Sequence, residues 1–257
     1  MTKRLDARTP VLVGVGVAQQ KIEAAEDAAE IYQLMVEAVE MAAVDGGSES
    51  LLAEAERIYV PRGMWDYSDP ARLIAEEIGA SQAVTVMAEI GILQQTLLGD
   101  ACRRIKAGEL DIAIVAGGEG RYRQLRAKIT GVELEDRVQQ GVAPDITLTP
   151  EAELWSEIEA RAGLAMPVGY YAIMESALRH ARGESVAINR DRLAALYTQF
   201  SQVAMDNPHA WNRLGMDADS IRNPSSSNKM LAFPYTKYHN SQWNVDQAAS
   251  LIFCSAG

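Results

Sequence analysis

Over its first 120 residues the chain alternates short apolar runs with amphipathic stretches, and that alternation leaves few folds open. "VLVGVGVA" (11–18) is the first strand candidate. "AAEIYQLMVEAVEMAAVDGG" (28–47) then puts Ile31, Met35, Ala38 and Ala42 on one helical face before glycines stop it. "RIYVPRG" (57–63) is a short strand ended by proline and glycine, and "DPARLIAEEIGA" (69–80) is a helix with Asp69 as cap and Pro70 at its first position. A third strand, "AVTVMAE" (83–89), is followed by a helix with Leu93, Leu97, Ala101 and Ile105 in one stripe and Gly108 at its close. "LDIAIVAGG" (110–118) is apolar enough to be buried on both faces. The pattern predicts an α/β protein, a sheet flanked by helices.

From residue 121 the alternation stops, and charge, turns and one acidic helix mix as in an insertion or a second subdomain. Two helices are expected next, over "GYYAIMESALRHARGES" (169–185) and over "NRDRLAALYTQFSQVAMDNPHAW" (189–211), the latter started by Asn189 and ended before Pro208. "ASLIFCS" (249–255) is a last apolar strand.

Charge and cysteine usage narrow the function classes. Of 257 residues, 35 are acidic and 24 basic, a net charge of −11 that disfavours phosphate backbones and anionic membranes. Nucleic acid is therefore not an expected partner. Two cysteines far apart make no disulfide framework, and the amino-terminal "MTKRLDARTPVLVGVG" lacks the pattern of a secretory leader, so a cytoplasmic location is expected. The longest apolar runs fall far short of the ~20 residues of a membrane span.

Few motifs carry chemistry. "GVGVAQQK" (14–21) resembles a dinucleotide-binding turn until its third glycine, where Gln19 stands. No P-loop, GxSxG elbow, HExxH or paired CxxC occurs, and His180, His209 and His239 have no metal-ligand spacing, so no metal is expected. Cys102 shares a helix face with Leu98 and Ile105 and reads as core, as does Cys254 inside its apolar strand. "RYRQLRAK" concentrates Arg121, Arg123, Arg126 and Lys128 after a glycine turn, either as a solvated face or as contacts for an anionic ligand.

Three ordered stretches carry a family resemblance. "RRIKAGELDIAIVAGGEG" (103–120) resembles the "IRAGxxDVVLAGGxE" that follows the nucleophile helix in the thiolase superfamily. "ALRHARGESVAINRDRLAALYTQFSQVAMDNPHAW" (177–211) is similar to the loop-domain helices of the sterol-carrier-protein-type thiolases, and "MLAFPYTKYHNSQWNVDQAASLIFCS" (230–255) to their passage into the second half. The resemblance implies a layered αβαβα core with a largely helical loop domain. The expected divisions are an α/β half over 1–120, the loop domain over 121–232, and over 233–257 a passage into the first strand of a C-terminal half.

In a working thiolase a cysteine at the start of the nucleophile helix accepts the acyl group from coenzyme A. Counting back from Ala107 and Gly108 puts that position at or next to Gly91, and neither glycine nor the adjacent Ile92 and Leu93 can carry an acyl group. Cys102 is about three turns too far along the helix. The family's "NEAF", "GHP" and "CxG" loops are not in these 257 residues. The resemblance thus implies a relative of the acetyl-CoA acetyltransferases of lipid metabolism. It is expected to bind an acyl-CoA thioester, with coenzyme A as substrate or ligand and no other cofactor, without thiolase chemistry in this chain. Two rivals stand beside it: a thiolase-like aldolase that cleaves a hydroxyacyl-CoA with a partner protein, and a non-catalytic scaffold subunit. A homodimer or a partner chain is expected, and Arg121, Arg123, Arg126 and Lys128 are the candidate contacts for the anionic end of coenzyme A.

Overall fold

The computed structural model describes residues 5–257; residues 1–4, part of the stretch read for a leader, lie outside them. Strand β1 (Pro10–Gln20) leads to helix α1 (Ile31–Asp45), a single turn α2 (Ser50–Ala53), β2 (Arg57–Pro61), α3 (Pro70–Glu77), β3 (Val84–Ala88), α4 (Gln94–Ala107), β4 (Ile112–Gly120), α5 (Arg121–Thr130) and β5 (Ile146–Leu148). Helices α6 (Glu157–Arg161), α7 (Pro167–Ala181), α8 (Val186–Asp206) and α9 (Ala218–Arg222) follow, then a small hairpin of β6 (Met230–Ala232) and β7 (Tyr235–Thr236), and finally β8 (Asp246–Ser255). These elements form two compact units, Met1–Ala152 with Trp243–Gly257, and Glu153–Gln242.

The first unit is built on a six-stranded sheet in the order β1-β8-β4-β2-β3-β5. β2 runs parallel to β3 and β4, β5 runs parallel to β3, and β8 runs antiparallel to both its neighbours. One core lies on the face covered by α1 and α3, with Met35, Ile58, Ile74, Ile114 and Ile252 fully buried. A second lies under α4, where Leu97, Ala101 and Ile105 meet Tyr59, Val86 and Phe253. The α/β class and the stripe of α1 are therefore present, and of the stripe expected in α4 Leu97, Ala101 and Ile105 are buried, whereas Leu93 precedes the helix as its cap residue and is exposed because the chain is still leaving the turn there.

So are several local signals. The Asp69 carboxylate accepts the Arg72 amide at 3.0 Å with Pro70 as the first helical residue, and Gly108 closes α4 in the left-handed region at φ 77°. α8 differs from expectation, beginning at Val186, because the Ser185 hydroxyl accepts the Ile188 amide at 3.3 Å and caps the helix four residues before Asn189. Asn189 is instead a buried donor to Glu175 at 2.6 Å.

The divisions also differ. α5 and β5 belong to the first unit, whose continuous part reaches Ala152 and not residue 120. Asp145 holds β5 there, since its carboxylate accepts the Thr85 amide at 2.8 Å and meets the Arg72 guanidinium at 2.9 Å. The strand expected to open a further half, "ASLIFCS", lies within β8 inside this sheet, bonded along β1 on one side and β4 on the other. Within it Ser250, Ile252 and Phe253 are buried.

The glycines of "GVGVAQQK" have a structural use. Gly14 and Gly16 face α1, where a Cβ on either would sit 2.0 Å from a backbone oxygen, that of Ala42 or of Ala38. A methyl group there forces the helix off the sheet, whereas one on Gly99, inside α4, meets only the flexible end of Arg103 at 3.1 Å. Gly16→Ala is expected to lower stability by about 3 kcal/mol or more through overpacking. Gly99→Ala should raise it by about 0.5–1 kcal/mol through helix propensity. Urea denaturation followed by circular dichroism measures both, and equal midpoints for the two variants would contradict the packing argument.

Candidate functional site at the carboxyl edge of the sheet

Because β2, β3 and β4 are parallel, their carboxyl ends share one edge, the place where open α/β sheets bind ligands. β3 leaves this edge through a turn in which the Ile92 amide bonds to the Glu89 carbonyl at 3.0 Å and Gly91 sits at φ 110°, a region that side chains rarely adopt. α4 then starts with no side-chain cap at Leu93 and no acidic residue in its first turn, and Gln94, Gln95 and Thr96 are exposed. Its first amides therefore present a partial positive charge to solvent.

The loop after β2 ties the edge together. The Arg62 amide bonds to Ala88 O at 2.7 Å, the Met64 amide to the Glu119 carboxylate at 2.9 Å, and the Trp65 indole nitrogen to Gly118 O at 3.1 Å. The Arg62 guanidinium lies 5.5 Å from the Trp65 ring centre. Beside this loop opens a cavity of about 330 Å³ among Trp65, Tyr67, Gly120, Arg123, Asp136 and Arg137.

At the start of α5 the anion position is already filled. The Asp246 carboxylate, fully buried at the head of β8, accepts the amides of Tyr122 at 2.9 Å and Arg123 at 3.0 Å. Burial raises its pKa, and these hydrogen bonds offset that only in part. The basic run that follows is divided among separate partners. Arg123 is buried, bonded to the Asp136 carboxylate and at 3.0 Å to Ala28 O. Arg126 holds Glu23 through its carbonyl at 3.0 Å and its carboxylate at 2.9 Å. Arg121 stacks 5.3 Å from the Trp243 ring centre with its Nε buried and unbonded, and Lys128 is exposed in the last turn of α5. Among the described residues neither Arg121 nor Lys128 pairs with a carboxylate. Among the described residues no cluster of three His, Cys, Asp or Glu side chains is arranged to hold a metal ion, and none of their helices is long and apolar enough to cross a membrane.

No family model and no curated protein matches the sequence. Solved structures do match the fold. The monomeric SCP2-thiolase like protein type 1 of Mycobacterium smegmatis superposes with a TM-score of 0.75 at 24% identity, over 98% of this chain and 47% of that one. The fold is that of the thiolases. The Ltp2-ChsH2(DUF35) aldolase matches with a TM-score of 0.62 at 16% identity, over 96% of this chain and 56% of that one. An acetyl-CoA acetyltransferase from Syntrophomonas wolfei matches at 0.55 and 16%, over 96% and 64%. The chain thus spans about half the length of the first two structures.

Within this thiolase-like frame the thiols are away from the start of α4. Cys102 is in the third turn, about 12 Å along the axis from Gln94 by helical rise, and is partly buried against the core under α4. Cys254 is partly buried in β8, where burial raises its thiol pKa. Asp246 and Arg62 went unnoticed in the sequence, since an Asp before an apolar strand and a lone Arg after one carry no spacing signal.

The second unit holds a further group that spacing does not reveal. His239 is 4% exposed, its Nδ1 lies 3.1 Å from the Thr236 amide and 2.8 Å from the Thr236 hydroxyl, and its Nε2 is buried with no hydrogen-bond partner. Burial, reinforced by the nearby Arg190 charge, pushes its pKa down from the ordinary 6.5 to about 4. The unfolded chain therefore takes up a proton near pH 6.5 that the folded one refuses until about pH 4, so stability is full above that window and is lost as pH falls through it. Between pH 6.5 and 5 the slope is expected to approach 1.4 kcal/mol per pH unit, roughly one proton's worth. Urea titrations across that range, with His239→Phe as comparison, check it; the variant should be flatter, and equal slopes would contradict the assignment.

Proposed function

We propose that the chain binds an acyl-CoA thioester at the carboxyl edge of its sheet without forming an acyl-enzyme. The start of α4 carries this reading. In a thiolase-like fold it leaves helix amides open to a thioester carbonyl, while the residue ahead of them, Gly91, is fixed by a turn that favours glycine and offers no nucleophile. The anionic end of coenzyme A is assigned to Arg121 and Lys128, the two members of the basic run that the protein's own carboxylates leave unpaired. Guanidinium and ammonium groups both suit phosphate, the first through paired hydrogen bonds. Arg123 and Arg126 act in this reading as struts that fix α5 to Asp136 and Glu23.

A second reading is carbon–carbon cleavage of a hydroxyacyl-CoA with a partner protein. Retro-aldol cleavage needs a base and no acyl-accepting thiol, which agrees with the cysteine placement, and one of the structures sharing the fold is an aldolase complex.

Calorimetric titration with acetyl-CoA tests the first reading. Binding should weaken by about tenfold, or ~1.4 kcal/mol, in Arg121→Ala combined with Lys128→Ala. It should change little in Lys106→Ala, which alters a cation of α4 far from its start. The intact mass of the protein should be unchanged after incubation with acetyl-CoA. Acetylation of Cys102 would overturn the claim of no acyl-enzyme, absence of binding would overturn the ligand, and unchanged affinity in the double variant would overturn its phosphate contacts.

A further inference from the structure

Helix α7 is turned the opposite way round from the helices of the first unit. Gly169 and Glu175 are its buried positions, whereas Ile173, Met174, Ala177, Leu178 and Ala181, at i, i+1, i+4, i+5 and i+8 along one side, are all exposed. Tyr171 flanks that side, and it, Ile173, Met174 and Leu178 are each between 47% and 55% exposed. The inward side sets the rotation. Glu175 accepts Asn189 at 2.6 Å and Tyr235 at 3.2 Å, and Arg192 pairs with it, so rolling the apolar side inward would break this set and leave a buried carboxylate's partners unpaired. Arg179, the other charged residue of α7, is half-buried, its guanidinium bonded to Glu184 O at 3.1 Å. The outward side is thus apolar and free of charge over three turns.

Its extent and charge say what covers it. These side chains present roughly 500 Å² of apolar surface, which matches the apolar two-thirds of the ~800 Å² that each subunit of a standard homodimer buries. Residues 153–242, the second unit, contain nine acidic and nine basic side chains, so the net charge of −11 belongs wholly to the rest of the sequence. Two copies meeting through this unit are not pushed apart by its own charge, and a partner recognised by charge finds none on the outward side.

The ends of α7 do carry charge, of opposite sign. At the amino end the chain leaving α6 packs against Gly169 through Gly163 and Leu164, and there Glu153, Glu157 and Glu159 outnumber Arg161. At the carboxyl end stand the exposed His180 and Arg182. Laid antiparallel, two such helices set the basic end of one beside the acidic end of the other, and their dipoles oppose. Laid parallel, they set like beside like.

We propose that a second copy of this chain covers α7, the two helices packing antiparallel about a two-fold axis that passes between Met174 and Ala177. The interface is isologous, each face filling the other, and the small Ala177 lets the helix axes approach where they cross. It is independent of the coenzyme A reading of the first unit.

Sedimentation velocity on the full chain, from about 1 to 100 μM in 0.15 M salt, should show a concentration-dependent dimer. Ala177→Asp puts a charge on each side of the axis at an exposed position, and should weaken the dimer by about tenfold or more with an unchanged circular dichroism spectrum. Orientation is read by cross-linking: under mild oxidation Ala177→Cys should form a disulfide-linked dimer, whereas Arg182→Cys, far from the axis, and the unaltered chain should not. A monomer at every concentration would overturn the second copy as occupant and leave the face to a different protein. A dimer that Ala177→Asp leaves intact would place the contact elsewhere and overturn the proposal, and ready self-cross-linking of Arg182→Cys would overturn the antiparallel arrangement.

Discussion

The approach of α1 to the sheet is the contact on which the first unit rests. Two side-chain hydrogens stand where other residues have carbon, at Gly14 and Gly16, and the backbone of α1 descends onto them until its Ala38 and Ala42 carbonyls leave no room for a methyl group. Ala38, Ala42 and Ala43 are fully buried on the helix side, so the interface is made by small residues from both elements. Bulkier side chains can then fill the space further along the sheet, where Met35 and Ile31 of α1 meet β4 and β8. Gly118 and Gly120 repeat the device at the far end of β4, each with Ile31 where its own side chain would be. Dense packing of this kind gains dispersion energy over many atoms and tolerates no added volume.

From that base the carboxyl edge acquires its form by a chain of backbone anchors. Asp246 connects the head of β8 to the first amides of α5, and Gln20 joins them at 3.3 Å from the end of β1. The loop after β2 reaches both neighbouring strands. As a result the start of α5 is electrically closed by a carboxylate of the protein itself, while the start of α4 stays open. Two helices leaving the same edge thus offer different chemistry, and the difference lies in which one the chain caps.

Local structure was legible wherever a residue acts on its neighbours. Asp69 with Pro70, the Gly108 stop, and all of the α4 stripe but Leu93 declare themselves within a turn or two of helix and are found in place; Leu93 falls just ahead of the helix, where periodicity no longer applies. Strand partners were not legible. β8 pairs with β1 across more than two hundred residues, and an apolar run reads the same whether it is the last strand of one sheet or the first of another. The basic run shows the same limit at the site. Its four charges are visible in sequence, but Asp136 and Glu23, which occupy two of them, are indistinguishable there from other acidic residues. His239 reads in sequence as one of three histidines without ligand spacing, because what sets it apart is a buried atom left unbonded, and no spacing rule records that.

The position of β8 in the sheet has a consequence for how the protein is made. It is an inner strand, bonded on both sides, yet it follows the whole of the second unit in the chain. During synthesis β1 and β4 must therefore wait, each with a row of open amides and carbonyls, while the residues from Glu153 to Gln242 emerge. The contacts that β8 brings to both strands are the most sequence-distant in the sheet, so closure is entropically late and slow. A second unit that collapses on its own core early keeps that wait short in space, because it shortens the tether by which β8 must find its gap.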